Sequence, residues 1–132
     1  MQIRFGRIIV AAIAVEVLAV LALILLVVVF GPSDPTAAEA YAERLGFWVG
    51  PIAGFVFCLL GGWWVAKGLS ASHVLNGLVL GVTVAVIDIV ILLASGAEFH
   101  PVFAVSNIGR VVAGTIGGWL AGRSMPGAVS ST

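Results

Sequence analysis

Glu16, Asp88 and Arg110 sit inside apolar stretches long enough to cross a bilayer, where an ionisable group is costly unless it finds a partner or water. One guanidinium between two carboxylates leaves one acid in excess, which is the chemistry of a proton-exchanging site. The bland alternative is a structural pin that ties helices together. Asp88 lies 7 residues below the outer end of its predicted helix and Arg110 lies 8 below its own. At about 1.5 Å per residue these depths are about 10 and 12 Å. An Asp88–Arg110 salt bridge is therefore expected, with Asn107 one turn above Arg110 and Thr83 or Thr115 adding hydrogen bonds. Glu16 lies in the inner half of its helix, about 9 Å deeper than Arg110 by the same rise, on a face shared with Ala12 and Ala19.

The composition demands a membrane. Of 132 residues, 61 % are hydrophobic and 9 % charged, and mean hydropathy is +1.22, far from a soluble balance. The chain fits one domain, residues 1–132, with no linker between halves. Zero formal net charge gives no pull toward nucleic acid. Crossing hydrocarbon takes about 20 apolar residues as a helix. Four segments meet that length, 8–30, 47–66, 74–95 and 102–122, and the fold class is an all-α four-transmembrane-helix bundle of two tandem hairpins. The first segment is too long for a signal h-region and carries Glu16, so it reads as a retained anchor.

Basic residues orient the bundle. Arg4, Arg7, Lys67 and Arg123 fall on one side, against Asp34, Glu39, Glu43 and Glu98 with Arg44 on the other. The positive-inside rule makes the first side cytoplasmic, with both termini inside a bacterial-type inner membrane. In the first outer loop, Ser33-Asp34-Pro35 supplies a cap and an N1 proline, and Gly46 a stop. A short amphipathic helix over 35–45 follows, lying in the interface plane with Ala38, Tyr41, Ala42 and Leu45 on its apolar face. Pro51 reads as an entry feature of the second span. Trp48, Trp63, Trp64 and Trp119 read as interfacial anchors.

Residues 61–67 (GGWWVAK) and 117–123 (GGWLAGR) match at an offset of 56, and the match continues through Val56 with Val112, Ile52 with Ile108 and Phe47 with Phe103. Each half then consists of an acid-bearing helix followed by a glycine-ridged one, a parallel repeat of the kind some transporters use. The ridges are Gly50, Gly54, Cys58, Gly62 and Ala66; Gly77, Gly81 and Ala85; and Ser106, Arg110, Gly114, Gly118 and Gly122. Small residues at this spacing let helices approach closely where lipid removes the hydrophobic drive.

Cys58 reads as a small packed residue, being too solitary for a disulfide or thiolate cluster. His73 and His100 read as solvated interfacial residues on opposite faces, unable to share a metal. Neither a cofactor motif nor a Ser, His and acid cluster is present, so an enzyme is not expected.

The four short spans with Val15-Glu16-Val17 in the first resemble the small multidrug resistance exporters, which implies an acid exchanging protons for a cationic drug. The likeness is confined to the first helix. That family's later aromatic and proline motifs are missing, and Asp88 and Arg110 depart from it. The residues themselves favour a membrane-embedded packing or interaction module, a homo-oligomer or subunit of a membrane complex, partnered by the bilayer and by other membrane segments. The alternative is a proton- or cation-coupled transporter or channel working as a homo-oligomer.

Overall fold

The computed structural model describes residues 3–69, 71–96 and 101–124. They form four helices: α1 (Phe5–Phe30), α2 (Pro35–Ala66), α3 (His73–Ser95) and α4 (Pro101–Ser124). No strand occurs among the described residues. By length and composition α1, α2 and α3 can each cross a membrane. α4 runs for 24 residues but interrupts its apolar sequence with Ser106, Asn107 and Arg110. Glu98 and His100 lie outside the described residues.

The expected separate helix over 35–45 is corrected. Asp34 caps as anticipated, its Oδ2 accepting from the Ala37 backbone N–H at 3.0 Å, but the helix continues unbroken through Gly46 to Ala66. A glycine inside a helix costs only about 1 kcal/mol, whereas stopping there would leave two further sets of unsatisfied backbone groups. Pro51 is consequently deep inside α2, where it removes one backbone hydrogen bond without ending the helix.

α1 and α3 run opposite to α2 and α4, so the bundle has a basic end holding Arg4, Arg7, Lys67 and Arg123 and an acidic end holding Asp34, Glu39 and Glu43. At the basic end, Arg4 Nη1 donates to Lys67 O at 2.8 Å and Val65 O at 3.3 Å, and Arg7 Nη2 donates to Trp64 O at 2.9 Å. The start of α1 thereby satisfies the last carbonyls of α2, with positive charge at the negative end of its dipole. Burial first, and the Arg7 charge second, hold the Arg4 guanidinium below its ordinary value. Asn76 is buried beneath them, accepting from the Arg4 backbone N–H at 2.8 Å and donating to Ser72 O at 2.8 Å.

Glycine seams hold α4 between α2 and α3. A Cβ at Gly62 would strike Gly114 O, one at Gly114 would come within 2.5 Å of Gly77 O, and one at Gly81 within 2.7 Å of Val111 Cα. Gly77 and Gly118 face each other in the same seam. Only residues without side chains allow backbones this near. Two ridge positions behave otherwise. Gly50 has nothing within 4 Å of its Cβ position; above it the Phe47 and Phe103 rings stack at 6.4 Å and hold α2 and α4 apart. Gly122 packs on the His73 ring rather than on a helix backbone.

His73 is also a correction: it is 1 % exposed, with Nε2 2.7 Å from Leu69 O. The space left by Gly118 and Gly122 takes in the start of α3 and its imidazole.

α1 joins this unit through its first half. Ile8, Ala11, Ala12 and Val15 pack with Cys58, Val65, Leu80, Val84 and Ala113 in the core. None of Val17–Phe30 is buried. Among the described residues the α1 backbone comes close to α2 and α3 and reaches α4 through side chains, whereas the α2 backbone comes close to α3; the two hairpins are therefore not equivalent in their cross-contacts.

Candidate functional site

One side chain links all four helices. Arg110 on α4 is 5 % exposed, and its Nη1 lies 3.0 Å from Glu16 Oε1 on α1 and 3.0 Å from Asp88 Oδ1 on α3. Its guanidinium crosses α2 at Gly54, where a Cβ would lie 2.5 Å from Nε, 2.9 Å from Nη2 and 3.1 Å from Cζ. The missing side chain at residue 54 is the slot through which the long arginine reaches α1. The depth difference between Glu16 and Arg110 is thus bridged by the length of Arg110 itself. Gly54, assigned above to helix packing, accommodates a charged group instead.

Asn107, one turn before Arg110, donates through Nδ2 to Asp88 Oδ2 at 3.0 Å and to Phe103 O at 2.9 Å. Asp88 is therefore held through both oxygens, one by Arg110 and the other by Asn107. Thr83 and Thr115 do not join the cluster. Each hydroxyl donates four residues back within its own helix, to Val79 O at 2.7 Å and Val111 O at 2.8 Å, the usual solution for a threonine in an apolar helix. Buried Arg110 Nε and Asn107 Oδ1 have no hydrogen-bond partner among the described residues.

Formally the cluster holds two negative charges and one positive. The Glu16 and Asp88 side chains retain 14 % and 20 % exposure. A cavity of about 90 Å³ opens from the acidic end of α2, α3 and α4 down to Asp88, Ser106 and Arg110, with Gly50 and Pro51 in its wall. At about 10–15 Å³ per water centre, this is room for several waters in a site with polar partners. On the basic side of Arg110 the glycine seams close the space between α3 and α4. Of the two carboxylates, Asp88 lines this cavity, so water or a small cation entering from the acidic end can meet it.

Sequence reasoning overlooked Gly54 and Ser106 as parts of this site. The signal for Gly54 was available: it is the counterpart of Arg110 at the repeat offset of 56, so one repeat supplies the guanidinium and the other the vacancy for it. Asn76 was also overlooked, although an Asn in the first turn of an apolar helix is such a signal.

The fold and site define a helical bundle with three helices fit to cross a membrane and a charged cluster at its centre. No protein family, curated protein or solved structure matches the chain. The resemblance to small multidrug resistance exporters consequently stays with Glu16 and its two valine neighbours.

Proposed function

We propose that this is a small integral membrane protein of four spans that works as an interaction module, assembling through α1 with a second copy or with other segments of a membrane complex. The observation that carries this reading is the one-sided attachment of α1. Its first half is packed, yet none of Val17–Phe30 is buried, and Ile24, Leu25, Val28 and Val29 are more than half exposed. A helix fastened most firmly in its first half, by core packing and by a buried charge, presents the exposed apolar face of its second half to whatever lies beside it. α4 completes the set of spans because Arg110 and Asn107 are turned into the bundle, where each meets a carboxylate. The basic end, by the positive-inside rule, is cytoplasmic in a bacterial-type inner membrane.

Cysteine cross-linking tests the module. In a Cys58→Ala background, cysteines at Ile24 or Val28 are expected to give a discrete cross-linked species in native membranes, and cysteines at Val86 on α3 are not. A purely monomeric protein in nanodiscs, with no cross-link at any α1 position, would overturn the reading.

A second reading is favoured by the cavity that reaches the charged cluster: proton- or cation-coupled movement of a small solute by a homo-oligomer, with Glu16 as the exchanging acid. It predicts pH-dependent uptake into proteoliposomes that disappears in Glu16→Gln. Activity that survives replacement of both Asp88 and Arg110 by apolar residues would exclude it.

A further inference from the structure

A second concavity lies between α1 and α2 near the basic end. Its volume is about 400 Å³, and it is lined by Val10, Ala14 and Leu18 on α1 and Phe57, Gly61 and Trp64 on α2, without a charged side chain. The floor exists because Gly61 lets α1 lie close, its Cβ position being 3.3 Å from Val15 Cγ2 and 3.0 Å from Leu80 Cδ2. From Val10 to Leu18 the groove runs about 12 Å along the helix.

Its chemistry changes along that length. At the Trp64 end, the Arg7 guanidinium lies 4.3 Å over the Trp64 ring and donates one hydrogen bond to Trp64 O, so the cation is fixed at the mouth of the groove. Arg7 stands one helical turn before Val10. Lys67 and Arg123 are held at the same end over Trp63 and Trp119, each at 5.0 Å. None of these cations is in a salt bridge among the described residues, and the described carboxylates lie mid-bundle or at the acidic end. The polarity is that of an amphiphile lying along the helices, with an anion at the basic end and hydrocarbon toward the middle.

We propose that this groove holds an acyl chain of one anionic phospholipid, with its phosphate against Arg7. A partner helix fits the groove less well. It would bring hydrocarbon to the cationic mouth, where Arg7 stands over Trp64. A basic site between helices at the headgroup level is suited to anionic lipid.

The test is native mass spectrometry of the full chain released from micelles containing equal amounts of phosphatidylglycerol and phosphatidylcholine with identical acyl chains. The wild type is expected to retain one phosphatidylglycerol in preference to phosphatidylcholine. Arg7→Gln should lower that preference by about fivefold, the effect of one basic residue near an anionic surface, and Arg7→Lys should keep most of it. Ala14→Trp, at an exposed position in the groove, should abolish retention; Leu18→Trp serves the same purpose if Ala14→Trp does not fold, as judged by its helical circular dichroism. Equal retention of the two lipids would overturn the proposal. So would retention untouched by the tryptophans, displacement of the lipid by inorganic phosphate beyond the effect of chloride at equal ionic strength, or a lipid-free dimer as the species released.

Discussion

Replacing Gly54 by alanine puts the charged cluster to a quantitative test, because Gly46, two turns away on the same ridge of α2, is a matched control. A Cβ at residue 54 would lie 2.5 Å from Arg110 Nε, while ordinary contact begins at 3.4 Å, so the guanidinium must withdraw by about 0.9 Å. That motion stretches at least one of its two 3.0 Å contacts to nearly 4 Å, outside hydrogen-bond range. A charge-assisted hydrogen bond contributes about 1.5–3 kcal/mol. Alanine returns about 1 kcal/mol of helix propensity at either position, and a Cβ at Gly46 would meet only Leu23 Cδ2, at an ordinary 3.9 Å. Gly54→Ala is therefore expected to fall below Gly46→Ala by about 1.5–3 kcal/mol, a difference in which the propensity gain cancels. The assay is reversible denaturant unfolding in mixed micelles, repeated in an Arg110→Leu background. There the difference between the two alanines should shrink to within about 0.5 kcal/mol, since the partner that Gly54 accommodates is gone. Equal stability of the two alanines with Arg110 present, or a difference that persists without it, would refute the reasoning.

Other outcomes follow from the same geometry. Arg110→Leu leaves two carboxylates in the bundle without their cation and should cost about 3–5 kcal/mol in the same unfolding assay. Gly114→Ala drives a Cβ against the backbone of Gly77 and Gly81, which cannot swing aside, so a loss of about 1–3 kcal/mol is expected. Arg4→Ala removes two hydrogen bonds to the end of α2 and should lower stability by about 1–2 kcal/mol. Ser106→Cys in a Cys58→Ala background should react with a membrane-impermeant thiol reagent added at the acidic end, whereas Ala113→Cys, buried in the core, should not.

Hydrophobic run length, which is what a bilayer selects, made α1, α3 and α4 readable to within three residues at either end, and α2 only at its end. What sequence alone could not supply was the relation between helices. Gly46 carries the composition of a stop, but no competing cap or packing contact makes stopping favourable, so α2 continues. His73 looks like a boundary residue until Gly118 and Gly122 of a distant segment make room for it. The three ionisable residues of the cluster were visible because charge is rare in apolar helices. Their convergence on a single nitrogen depends on Gly54, whose role resembles that of every other small ridge residue until a neighbour is placed beside it. Thr83 and Thr115 show the reverse error: polar type and proximity suggested a partner, and the helix's own carbonyls supplied one first.

The central claim is that, within a bilayer, the Arg110 guanidinium is held simultaneously by Glu16 and Asp88. Solid-state NMR dipolar recoupling in lipid bilayers, between labelled Arg110 Nη nitrogens and the carboxyl carbons of Glu16 and Asp88, measures it most directly. Strong dephasing from both carboxyl carbons, removed one at a time by Glu16→Gln and Asp88→Asn labelling controls, is the expected result. Dephasing from neither carbon, or from one with the other beyond detection, would contradict the account.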